Sequence, residues 1–224
     1  MAGPPWTDDQ PADSPRIVNN CRTVITQILK DAPFRLTPDL DKARRWHDDI
    51  YSGVTVPSLE YVGHFRGDPN YPDLLDYEVG VGPTLPDGLP DRVGIPAALI
   101  APNLDRFITS LRDATTHLDA AIPFGQAPAT QAELQSVVTL AAYAHGDWVR
   151  IHPFANSNGR TARVWANWVA IRYGLRPFVH LKPRPADSTY ARAARESMGR
   201  PPSFTGNHAP TVGLFASMLA ASTP

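Results

Sequence analysis

Apolar residues recur at helical spacing through most of the chain. Ile17, Cys21, Val24, Ile25 and Ile28 fall on one face of a stretch ending at Leu29, which predicts an amphipathic helix. Thr37-Pro38 then offers a capping residue followed by proline at the first helical position. Leu40, Trp46, His47 and Ile50 carry the helix this opens to near Gly53. A third helix is expected over Pro102–Leu118, with Leu104, Phe107, Ile108 and Leu111 on one face. Thr130 can cap a fourth, whose apolar positions run from Leu134 to Trp148 and which ends near Arg150. Val164, Trp165, Trp168, Val169 and Ile171 describe a buried helix stopped by Gly174. Two more follow at Ser188–Met198 and Thr211–Leu219.

Residues 54–95 break this rhythm. Tyr61, Phe65, Tyr77, Val79, Val81 and Val93 alternate with polar or glycine positions, and Asp87-Gly88 lies between two such runs. The pattern predicts a short β-hairpin with a long tip. Residues 1–15, rich in proline and aspartate without an apolar run, are expected to be a disordered tail. The fold class is therefore mainly α: a helical bundle over residues 16–224 with one small hairpin.

Composition narrows this only modestly. The chain has 224 residues, 42% of them hydrophobic, which suits one domain with its own core. A formal net charge of −1 gives no bulk attraction to nucleic acid. No stretch approaches the roughly 18 apolar residues of a membrane span, and no signal peptide is visible. The expectation is a cytoplasmic protein of bacterial type, with secretion as an effector left open. The single cysteine, Cys21, excludes an internal disulfide and reads as an apolar filler on its helix.

The chemistry concentrates in residues 152–163, His-Pro-Phe-Ala-Asn-Ser-Asn-Gly-Arg-Thr-Ala-Arg. His152 lies just past a helix end, where a neutral imidazole can take a proton from a hydroxyl near neutral pH. Ser157-Asn158-Gly159 forms a small turn ahead of a helix, so free backbone N–H groups and the positive helix end can converge on an anion. Arg160 and Arg163, three apart, share a helix face and can fork onto a polyphosphate. Each part has an ordinary reading: His152 as a loop histidine, Asn158-Gly159 as a turn, the arginines as a solvated face, and Pro153-Phe154 as a plug into the core. Their joint occurrence points to phosphoryl or nucleotidyl transfer.

This stretch resembles the signature of the Fic family, His-Pro-Phe-x-(Asp/Glu)-Gly-Asn-Gly-Arg-x-x-Arg, departing from its fixed positions only at Asn156 and Ser157. Ala144-His145 and Ile151 resemble the family's lead-in, Gly63-His64-Phe65-Arg66 its Gly-x-(Tyr/Phe)-Arg element, and Tyr190 onward its closing helices. The resemblance covers roughly residues 17–220. It implies a Fic-type helical bundle with a β-hairpin flap at about 61–96 and an active-site loop at 152–160. It also implies transfer of AMP from ATP to a Ser, Thr or Tyr hydroxyl of a target protein, with His152 as general base. Phe154, Ser157, Asn158, Gly159, Arg160 and Arg163 would then form the nucleotide site, Arg163 at the γ-phosphate. The target would dock on the flap by strand pairing.

Asn156 stands where the family has the carboxylate that helps hold Mg²⁺, so the metal is expected to be held weakly by the protein. Ser157 replaces a glycine and is strained if the turn needs positive φ. The alternatives are another Fic phosphoryl or nucleotidyl transfer, or a degenerate nucleotide-binding relative without activity. The family's inhibitory (Ser/Thr)-x-x-x-Glu-(Gly/Asn) motif is not found, so a separate antitoxin-like partner is one expectation.

Overall fold

The computed structural model describes residues 3–6, 9–80, 88, 92–186 and 188–222. Eight α-helices lie among them: α1 (Ser14–Asp31), α2 (Leu40–Tyr51), α3 (Pro72–Leu75), α4 (Ile100–Ala121), α5 (Gln131–Ile151), α6 (Asn158–Arg172), α7 (Ser188–Met198) and α8 (Ala209–Ser222). The mainly α reading holds. None of the helices among the described residues is long and apolar enough to cross a membrane.

α5 and α6 form the central pair. Thr130 starts α5 with a capping box: its Oγ1 accepts the Glu133 N–H at 3.2 Å, and Glu133 Oε2 accepts the Thr130 N–H at 3.1 Å. α6 is buried around nearly its whole circumference, as a helix at the centre of a bundle must be. Trp148 of α5 and Trp165 of α6 are fully buried. The Trp148 indole N–H donates to Thr161 Oγ1 at 2.8 Å, which removes the cost of burying that donor. α4, α7 and α8 pack on α5, while α1 and α2 pack on each other and on α6. At the end of α6, Gly174 takes φ +73° and the Leu175 N–H returns to the Ala170 carbonyl at 3.0 Å.

Three expectations need correction or restriction. First, α2 is capped not by Thr37 but by Asp39, whose Oδ1 accepts the Lys42 N–H at 2.8 Å; Asp is the better cap, and the helix begins at the residue after it. Second, the tail expected to be disordered is anchored among its described residues by Trp6. Trp6 is buried, its ring 4.6 Å from Tyr51 and 6.0 Å from Tyr61, and its backbone N–H donates to the Tyr77 hydroxyl at 2.7 Å. The Tyr61 hydroxyl donates to the Pro4 carbonyl at 2.6 Å. One large aromatic among prolines and aspartates finds an aromatic pocket, which offsets its ordering entropy in a way composition does not reveal.

Third, no strand occurs among the described residues of 54–96. The alternating Tyr61, Phe65 and Tyr77 are buried from a short 3₁₀ helix (Leu59–Tyr61) and irregular loops around α3. The Val93 N–H reaches the Val79 carbonyl at 3.4 Å. The expected tip, at 81–87 and 89–91, lies outside the described residues. Buried Arg66 ties this segment to the His152 loop: its guanidinium donates to the carbonyls of Tyr77 (2.9 Å), Ile95 (3.0 Å) and His152 (2.8 Å).

Candidate active site

α5 ends at Ile151, and His152 takes the left-handed C-cap conformation, φ 56° and ψ 54°. That turn bends the chain out of the helix and aims the imidazole at a cleft of about 630 Å³. His152 Nδ1 lies 2.9 Å from the Val149 carbonyl. A carbonyl only accepts, so Nδ1 carries the proton and Nε2 keeps its lone pair. Burial, partly countered by that hydrogen bond, lowers the imidazole pKa to about 4. At neutral pH the side chain is therefore an unprotonated acceptor at the cleft wall. Gly94 backs it: at φ +80°, a Cβ there would lie 2.2 Å from His152 Cβ.

The loop that follows is closed by its own side chains. Asn158 Oδ1 accepts the Phe154 N–H and Asn158 Nδ2 donates to the Phe154 carbonyl, both at 2.8 Å. His47 braces the loop from α2. Its Nδ1 accepts the Gly63 N–H at 3.1 Å, so Nε2 is the protonated nitrogen and donates to the Asn156 carbonyl at 3.2 Å. Burial holds His47 neutral, with a pKa of about 3. Phe154, expected in the nucleotide set, is fully buried and stacked on His47 at a centroid distance of 3.9 Å. It belongs to the core and is absent from the cleft wall.

Ser157 occupies the left-handed region, φ 66° and ψ 13°, immediately before α6. The turn does require positive φ, so serine is strained where glycine would not be. Among the described residues the N–H groups of Asn158 and Gly159 find no acceptor. They open α6 at the cleft, as an anion-binding helix terminus does. The anion-hole reading thus rests on the backbone of 158 and 159, while the Asn158 side chain is spent on the loop.

Arg160 and Arg163 both line the cleft, and they diverge within it. Arg163 Nη1 donates to the Tyr190 hydroxyl at 2.9 Å and Nη2 to the Leu181 carbonyl at 2.7 Å. The Tyr190 hydroxyl in turn lies 2.9 Å from His145 Nε2, so α5, α6 and α7 hold Arg163 together. Arg160 Nη1 donates to the Tyr51 hydroxyl at 3.0 Å, and Nη2 pairs with Asp9. Tyr190 opens the closing helices singled out in the sequence; Tyr51 lies in the expected early helix and Gly94 in the expected flap, but neither they nor Asp9 and Lys182 were candidate site residues. Only tertiary packing brings those four to the motif, and no local signal marks them.

The divalent cation implied by the resemblance does not fit these residues. Asn156 Oδ1, the expected ligand, accepts the Ser157 N–H at 2.5 Å. Among the described residues no three His, Cys, Asp or Glu side chains converge as a metal group. An amide oxygen already engaged and uncharged is a poor partner for a hard cation. A second hollow, about 670 Å³ between α4 and α5, is lined largely by apolar groups such as Phe107, Leu111 and Leu140. His117, Asp147 and His208 also line that hollow, whereas the motif residues His152, Asn156, Ser157, Asn158, Gly159, Arg160 and Arg163 line the other cleft.

Comparison with known proteins bears on the fold and the family. No curated protein matches the chain. Solved structures similar to it include a Fic-domain signalling protein of Bacteroides thetaiotaomicron (22% identity, 96% of this chain and 72% of that one, TM-score 0.63). The N-terminal Fic domain of a VirB-translocated Bep effector of Bartonella quintana matches at 16% identity over 97% and 89%, TM-score 0.55. The BepC effector of Bartonella tribocorum, solved with AMPPNP bound, matches at 15% over 91% and 86%, TM-score 0.50. At these identities the structures speak for the fold alone. The family model for Fic/DOC matches residues 37–170, more than half of the chain. The chain belongs to the Fic/DOC family, whose members are typically transferases and commonly move AMP or other nucleotidyl groups.

Proposed function

We propose that the protein transfers AMP from ATP to a hydroxyl side chain of a target protein, with His152 as general base. The observation that carries this is the Nδ1–H donation of His152 to Val149, which leaves Nε2 basic at the cleft. The free N–H groups of Asn158 and Gly159 begin six residues later, and Arg160 and Arg163 line the same cleft. In the reaction, Nε2 takes the proton of the target hydroxyl as its oxygen attacks the α-phosphorus. Pyrophosphate leaves, and the new bond joins that oxygen to AMP. The open helix terminus and the two guanidinium groups offset the charge that develops on the phosphates. The target segment docks by strand pairing on the flap expected at about 61–96.

The test is incubation with labelled ATP, magnesium and cell lysate. Losing a general base costs about 10²–10⁴ in rate, so His152→Ala should lose labelling by that factor. Equal labelling by both proteins would remove His152 from the role. The mass added to the target, one AMP or one phosphate, distinguishes the transfer proposed from phosphorylation.

The engaged amide of Asn156 favours one second reading: a site that binds nucleotide without transferring it. Asn156→Asp decides between the two. Transfer that appears only in this variant identifies the native chain as a nucleotide-binding relative.

A further inference from the structure

Arg160 is held by residues that do not belong to the family motif. Its Nη1 donates to the Tyr51 hydroxyl at 3.0 Å. That hydroxyl donates to Asp9 Oδ1, also at 3.0 Å. Asp9 Oδ2 closes the ring by accepting from Arg160 Nη2, and Lys182 Nζ approaches the same oxygen at 3.3 Å. Asp9, Tyr51 and Arg160 thus form a closed cycle in which each member has its partners. The Tyr51 ring adds a face 5.5 Å from the guanidinium carbon.

The placement of these groups decides what the cycle does. Arg160 forms part of the cleft wall, whereas Asp9, Tyr51 and Lys182 do not. The carboxylate thus contacts the guanidinium without itself lining that cleft. A guanidinium has five N–H donors in a rigid fork. Engaging one donor on each of Nη1 and Nη2 leaves three of the five N–H groups and removes the rotamer freedom a phosphate would otherwise have to freeze. The same N-terminal segment contributes Pro5 and Trp6 to the cleft wall itself. This segment lies outside residues 37–170, the part that matches the family model.

We propose that Asp9 is a positioning residue for Arg160, and that the segment carrying Pro5, Trp6 and Asp9 is a working wall of the nucleotide site. The proposal rests on the nucleotide-transfer reading and sharpens it, because it assigns polyphosphate affinity to residues before α1. Asp9 acts through Arg160 and touches no substrate.

The experiment is a double-mutant cycle read by calorimetric titration of the full chain with ATP, and in parallel with inorganic tripolyphosphate. Asp9→Asn keeps shape and loses charge; Arg160→Gln removes the fork; Tyr51→Phe removes the bridging hydroxyl and keeps the ring. Asp9→Asn should weaken ATP binding about tenfold, the scale of one charge-assisted hydrogen bond. In the Arg160→Gln background the same change should add almost nothing, since its only route is already gone. Asp9→Glu should recover part of the loss. Tyr51→Phe should show the same coupling, which covers the case where Asp9→Asn disturbs the segment's packing. Additive losses, or no loss, would overturn the proposal. So would tighter binding in Asp9→Asn, which would identify the carboxylate as a competitor of phosphate. If the Asp9–Arg160 coupling holds for tripolyphosphate but ATP binds no more tightly than tripolyphosphate, the nucleotide reading fails and the positioning role stands.

Discussion

At the scale of single residues, two backbone conformations set the site. His152 and Ser157 both sit at positive φ, at either end of the loop between α5 and α6. His152 gains from it, because the left-handed turn lets Nδ1 reach Val149 and leaves Nε2 at the cleft. Ser157 does not need a side chain to make its turn. Ser157→Gly should therefore raise thermal stability, by about 0.5–1 kcal/mol, measured as a shift of the melting curve at neutral pH. A lower melting temperature would show that the hydroxyl contributes more than the strain costs. The imidazole also sets a pH profile. Burial lowers the His152 pKa to about 4, so the base form is complete at neutral pH and is lost as pH falls through that value. On this group, the pH–rate profile of kcat/KM should decline near pH 4 rather than near the ordinary histidine value of about 6.5.

At the scale of elements, the site depends on contacts between segments that are distant in sequence. Helix existence was legible, because seven of the eight helices among the described residues were expected, five of them from an apolar face at helical spacing, and the Thr130 cap and Gly174 stop are local signals. The stretch at 54–96 was legible only in part: no strand occurs among its described residues, the Val93 N–H reaches the Val79 carbonyl, and the expected tip lies outside the described residues. Its alternation of Tyr61, Phe65 and Tyr77 arises from burial in loops clamped by Arg66, and periodicity cannot distinguish that from half-buried strands. Gly94 shows how tightly this stretch meets the motif. Gly94→Ala would drive a Cβ into His152 and force alanine to φ +80°. It should cost more than about 1 kcal/mol in stability and displace the imidazole, so transfer should fall even in the folded fraction. Within the loop, Asn158→Ala removes two buried hydrogen bonds to Phe154. It should cost about 2 kcal/mol, seen as a lower midpoint in denaturant, because the helix terminus would no longer be held against the cleft.

At the scale of the whole molecule, buried neutral histidines connect the site to acid stability. Burial lowers His47 and His145 to about 3 and His152 to about 4. In the unfolded chain each titrates near 6.5. Their contribution to stability is thus complete above about pH 6.5 and declines as pH falls toward 4 and 3, where the unfolded chain binds protons that the folded one refuses. The slope approaches about 1.4 kcal/mol per histidine per pH unit in that window. Denaturant midpoints between pH 7 and pH 4.5 should fall accordingly, and His47→Gln, which removes one titrating group, should flatten the curve. The sequence by itself determined the helical class, the main helices and the motif from His152 to Arg163, because periodicity, caps and a contiguous constellation are local properties. Only the tertiary structure decided between the core-plug and nucleotide-site readings of Phe154, showed that Asn156 turns its oxygen onto Ser157, and brought Tyr51 and Asp9 to Arg160. Those outcomes depend on which side chains meet across the fold. Trp6 packs against Tyr51 and Tyr61, and Asp9 of the same segment pairs with Arg160, long-range contacts with no signature in the spacing of residues along the chain.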